Sequence, residues 1–111
     1  MLQQSKLELW EILVPCVYND GRYVKTKHHK VFDKFVYNLA GGITILNPVK
    51  GKWKDKEKLY DERNIPVRIA CTREQIEMII NFSLHHYDQK AIMAYKISEE
   101  VIIKCRNEKK N

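Results

Sequence analysis

The stretch Ile65-Pro66-Val67-Arg68-Ile69-Ala70-Cys71 alternates apolar residues with polar or small ones, which is the pattern of a strand with one buried face. It runs directly into Thr72-Arg73-Glu74-Gln75, a capping box. There Thr72 caps a helix start and Gln75, at the third helical position, reaches back to the cap. A half-buried strand joined to a helix with no loop between them must lay that helix over its apolar face. The helix runs to about Tyr87, with Ile76, Ile79, Ile80, Leu84 and Tyr87 on one side.

The same order occurs earlier in the chain. Leu7 to Val17 reads as a strand whose apolar set is Trp10, Ile12, Val14 and Cys16, with Pro15 near its end or on an edge. Asn19-Asp20-Gly21 closes a turn. Thr26 to Ala40 reads as a helix with Phe32, Phe35, Val36 and Leu39 on one face. Gly41-Gly42 ends it, one glycine taking positive φ at the C-cap. Ile43 to Leu46 starts a second strand, which Asn47-Pro48 bends and Val49 to Trp53 continues, with Lys50 and Lys52 pointing outward. Asp55-Lys56-Glu57-Lys58 is a hairpin tip. Residues 47–61 therefore predict a long arm, and Ile43–Leu46 should pair antiparallel with Ile65–Ile69. Ala91 to Ile97 is a strand, Ser98-Glu99-Glu100 a turn, and Val101 to Cys105 a last strand or extension.

The order β-α-β-β-α-β predicts an α+β, ferredoxin-like domain with a long β2–β3 hairpin and room for an extra C-terminal strand. It spans residues 1–106, with a polar tail at 107–111. Both helices cover one sheet face. The other face is expected to lie open, carry Trp10, Leu46 and Ala94, and be covered by assembly.

Composition narrows the classes. At 111 residues, 44% hydrophobic and 31% charged, the chain is an ordinary globular domain. No apolar run is long enough to span a bilayer, and Met1 to Lys6 has no signal core, so a soluble cytoplasmic protein is expected. Cys16, Cys71 and Cys105 are odd in number, widely spaced and set in apolar stretches, which reads as buried free thiols. The net charge of +6 is concentrated between Arg22 and Lys58, where ten Lys or Arg face three acids. That excess suits a phosphate or nucleic acid, and equally the solvated lysines of an AT-rich genome's proteins.

"LAGGITIL", "GKW", "DERNIPVRIACT" and "HYDQKAIMAYKI", spread over residues 9–104, resemble a family of small uncharacterised bacterial proteins of ferredoxin-like fold. The overall plan is also similar to the PII and CutA sensor proteins, which carry a long hairpin and form trimers. It further resembles the phage S-adenosylmethionine lyases in the character of "PVRIACT" and "DQKAIMAYKIS". In those lyases the ligand lies between subunits, and the matching acid here is Glu62.

Several constellations can be weighed from the residues. Eight residues separate Gly42 from Gly51, and Trp53 stands where a phosphate loop needs a hydroxyl, so no such loop is present. His28-His29 and His85-His86 are adjacent pairs whose rings diverge by about 100° on a helix, which leaves them as exposed helix-end residues rather than a metal site. Cys71 precedes a helix N-terminus, where a thiol is activated, but it also completes the inward set Ile65, Val67 and Ile69. Lys50, Lys52, Trp53, Tyr60, Glu62 and Arg68 are the candidate ligand-binding residues, and structural cross-strand pairing accounts for them equally well. Trp53 and Tyr60 among Lys50, Lys52, Lys54, Lys56 and Lys58 can stack bases and hold phosphates.

The favoured expectation is a homo-oligomeric binding or assembly module, dimer or trimer, with a small anionic ligand between subunits and neither cofactor nor metal. The alternative is a small enzyme with an inter-subunit cleft, acting on S-adenosylmethionine or RNA. A non-specific nucleic-acid binder is the third.

Overall fold

The computed structural model describes residues 6–107. Met1–Ser5, most of the segment read as lacking a signal core, and positions 108–111 of the polar tail lie outside the described residues. The elements are β1 (Glu8–Pro15), α1 (Thr26–Ala40), β2 (Thr44–Ile45), β3 (Val49–Asp55), β4 (Lys58–Cys71), α2 (Arg73–His86) and β5 (Ala94–Ser98). The sheet is antiparallel and five-stranded, ordered β2-β4-β1-β5, with β3 on the same edge of β4 as β2. This is the α+β, ferredoxin-like arrangement that the element order predicts. No described helix is long and apolar enough to cross a membrane.

Local chemistry sets the helix boundaries. Thr72 Oγ1 accepts from the Gln75 backbone at 3.2 Å and Gln75 Oε1 accepts from the Thr72 backbone at 2.9 Å, so α2 starts at the capping box. Gly41 ends α1 at φ 89°, a left-handed conformation that glycine adopts without steric cost, and donates to the Tyr37 carbonyl at 2.9 Å.

The core lies between the helices and one sheet face. Ile12 and Val14 of β1 and Val67, Ile69 and Cys71 of β4 meet Phe32 and Val36 of α1 and Ile76 and Ile79 of α2. Trp10 belongs to this layer. It is 7% exposed, on the same alternation as Ile12 and Val14, and does not lie on the open face. Ala94 pairs with Ile12 and also packs inward. The expectation that Trp10 and Ala94 carry the open face is therefore corrected. Odd-numbered β1 residues turn to that side, and with them even-numbered β4 residues, Tyr95 and Ile97.

Pro66 explains why the hairpin's first strand is split in two. Its carbonyl accepts from the Leu46 backbone at 2.9 Å, so its nitrogen faces the same edge with no hydrogen to donate. The ladder lapses there. Ile45 pairs with Val67 but Val49 pairs with Asn64, so one extra residue is absorbed around Asn47-Pro48. The fifth strand of the sheet arises from this break. Residues 101–105 take no regular structure and join no ladder, so the C-terminal strand is not formed.

Candidate functional site

The open face carries one polar row that crosses four strands. Thr44 of β2 pairs with Arg68 of β4, Arg68 with Glu11 of β1, and Glu11 with Tyr95 of β5. Directly opposed residues share a sheet face, so the four side chains stand in line. Arg68 Nε donates to Glu11 Oε1 at 2.9 Å, and the Tyr95 hydroxyl donates to Glu11 Oε2. Glu11 is only 7% exposed although no helix covers this side. Its two oxygens are held by a cation and a phenol, which is how a carboxylate tolerates removal from water. Arg68 makes no hydrogen bond through its two terminal nitrogens among the described residues, and the side chain is 44% exposed. It is thus a guanidinium fixed at one end by a buried acid, presenting two parallel donors outward. That geometry suits a carboxylate or phosphate.

The six residues singled out in the sequence divide by strand alternation. Trp53 pairs with Tyr60, their rings stacked at 4.1 Å and 9°, and Gly51 pairs with Glu62. Trp53, Tyr60, Glu62 and Arg68 therefore share the open face. Lys50 and Lys52 alternate with Trp53 and point to the opposite side, where Lys52 makes only a loose, exposed pair with Asp61 at 3.8 Å. The aromatic pair is also distant from the polar row. Tyr60 and Arg68 are eight residues apart on one strand, about 26 Å. Within a single chain the structure does not bring them together. Glu11, Thr44 and Tyr95 went unnoticed in the sequence, because their grouping depends on the register of three different strand pairs.

His28, His29 and His86 are not exposed helix-end residues, whereas His85 is exposed as the sequence reading expects. His28 stacks on His86 with centroids 3.6 Å apart, and each ring bonds the other residue's backbone carbonyl through Nε2. Those two nitrogens are therefore already committed.

The cysteines divide as well. Cys71 is fully buried, and burial, with the charge of Glu8, pushes its thiol up to about 11. Burial also raises Cys16, while Cys105 is exposed, contrary to the expectation that all three are buried. A thiol reagent on the native protein should modify Cys105 at once and Cys71 only on unfolding, read by mass spectrometry over time. Prompt native labelling of Cys71 would show that the position is activated rather than packed.

No family model and no curated protein matches the sequence, so the small bacterial family that it resembles is not shown. Solved structures do match. A phage S-adenosylmethionine lyase in complex with S-methyl-5'-thioadenosine aligns with TM-score 0.65 at 8% identity, over 91% of this chain and 88% of that one. The CutA protein of Xylella fastidiosa aligns at 0.65 and 13% identity, over 89% and 88%. The periplasmic divalent cation tolerance protein CutA of Archaeoglobus fulgidus aligns at 0.64 and 13%, over 88% of each chain. At such identities the likeness establishes a fold of the CutA type, and nothing about chemistry.

Proposed function

We propose that the chain is a homo-oligomeric binding module, dimer or trimer, in which the arm of one copy lies on the open sheet face of the next. Arg68 then holds a small anionic ligand at the seam. One observation carries this reading: the Trp53–Tyr60 pair and Arg68 occupy the same face about 26 Å apart, each half of a site that its own chain leaves incomplete. Trp53 is 45% exposed, and Val49, Tyr95 and Ile97 on that face are exposed to similar degrees. An aromatic and aliphatic surface of this kind marks an interaction site. The trimers implied by the PII and CutA resemblance supply the symmetry. The cytoplasm, which keeps thiols reduced, suits the three free cysteines.

Light scattering at micromolar concentration should return a multiple of the 13.2 kDa chain mass. A monomer at that concentration overturns the assembly. Inorganic phosphate should raise the melting temperature of the wild type and not that of Arg68→Gln; an equal shift in both rules out Arg68 as the anion site.

The bound thioadenosine of the phage lyase structure supports a second reading, a small enzyme with its cleft between subunits and Glu62 lining it. Release of S-methyl-5'-thioadenosine from S-adenosylmethionine, lost in Glu62→Gln, would favour that reading. A salt-sensitive gel shift with generic RNA would favour the nucleic-acid one.

A further inference from the structure

The ends of the two helices meet in a column of four rings. His28 and Phe35 come from α1, Phe82 and His86 from α2. His28 lies flat on His86 at 3.6 Å and 6°, His86 on Phe82 at 5.0 Å and 20°, and Phe82 on Phe35 at 4.0 Å and 5°. His28 Nε2 donates to the His86 carbonyl at 2.5 Å, and His86 Nε2 donates to the His28 carbonyl at 2.8 Å. A carbonyl can only accept, so both Nε2 atoms carry hydrogen, and each neutral ring keeps its lone pair on Nδ1. Beside the stack, His29 Nδ1 meets the hydroxyl of the fully buried Tyr87 at 2.8 Å.

We infer that the His28–His86 pair is a proton-sensitive clasp between α1 and α2, closed while at most one ring is charged and opened when both are. One proton added at an Nδ1 leaves both carbonyl bonds in place. A second puts two like charges 3.6 Å apart at a partly buried joint, where water screens them poorly. The helix ends differ in what they favour. A cation on His86 at the C-terminus of α2 gains from the helix dipole, whereas His28 in the first turn of α1 does not.

The charged and titratable groups facing the clasp do not neutralise a second charge. On α1 the neighbours are Lys27 and His29, with Asp33 a turn further on. From the loop before α1 come Tyr18, whose ring is 6.3 Å from His28, and the pair Asp20–Arg22. Asp20 is already bonded to the Arg22 side chain at 2.7 Å and to its backbone at 3.0 Å. On and after α2 lie His85, Tyr87 and Asp88. Asp88, Asp20, Arg22, Tyr18 and the two rings line a cleft of about 330 Å³, which gives water and protons access. Burial already holds His29 and His86 below the usual histidine range; the charge of His28 acts in the same direction, and on His86 the bond to the His28 carbonyl acts against it. The folded chain therefore binds fewer protons than the unfolded one, and stability falls as pH drops below about 6.5.

The test reads the His86 ring signals by NMR through a pH titration, in the wild type and in H28F. The wild-type His86 transition should lie at lower pH than that of H28F, because that variant removes the second ring's charge. An identical His86 transition in the two proteins overturns the clasp. Urea unfolding at about pH 7.5 and about pH 5.5 adds a second readout. The unfolding constant should rise about tenfold more in the wild type than in H28F/H86F, which keeps the ring column and removes the protons. Equal pH dependence in the two proteins also overturns it. If the double variant does not fold, H86F alone takes its place, and the His86 titration decides in either case.

Discussion

Trp53→Ala should separate assembly from folding. In one chain Trp53 stacks on Tyr60 and stays 45% exposed, so losing it should cost the folded monomer about 1 kcal/mol, the worth of one exposed aromatic pair. At an interface the same side chain is a large anchor, and truncation of a buried tryptophan there typically costs about 2–4 kcal/mol. Self-association should weaken by roughly 30- to 1000-fold. Analytical ultracentrifugation across a concentration series, with chemical unfolding of the same variant, gives both numbers. An unchanged association constant would mean that the arm does not seat on another copy.

A second large effect is expected at the polar row, and it is asymmetric. Arg68→Leu strands a carboxylate that is 7% exposed and leaves it only the Tyr95 hydroxyl. Removing one partner of such a pair costs about 3 kcal/mol, since the remaining charge has lost its compensation. Glu11→Gln keeps an oxygen for its neighbours and removes the charge, so about 1 kcal/mol is expected. Urea unfolding of both variants tests this. Equal costs for the two substitutions would show that Glu11 is solvated and the row is ornamental.

The parts of the fold legible in the sequence are those governed by neighbours a few residues away. Thr26 to Ala40 and the capping box at Thr72 are local events, and both helices form where the sequence places them. The Ile65–Cys71 alternation required only a period of two. Trp10 was misplaced although that same period, running through Ile12 and Val14, puts it in the core. Ser83 escaped notice because a serine looks exposed. Here its hydroxyl donates to the Ile79 carbonyl at 2.6 Å, which removes the penalty of burying it. The separation of Lys50 and Lys52 from Trp53 was readable from strand alternation alone. The Glu11–Arg68–Tyr95 grouping was not. Residue 11 meets residues 68 and 95 only through register, and no local pattern encodes register between distant strands.

The break at Pro66 and the lysines of β3 together have a bearing on polymerisation. β3 is a free border of the sheet, and a long, regular border invites another strand to add on and propagate a fibril. Here that border is interrupted after two residues of β2, offset by one position, and then lined by Lys50, Lys52 and Lys54. A second border of the same kind would meet it lysine against lysine and out of step. Sideways accretion through this border is thereby discouraged.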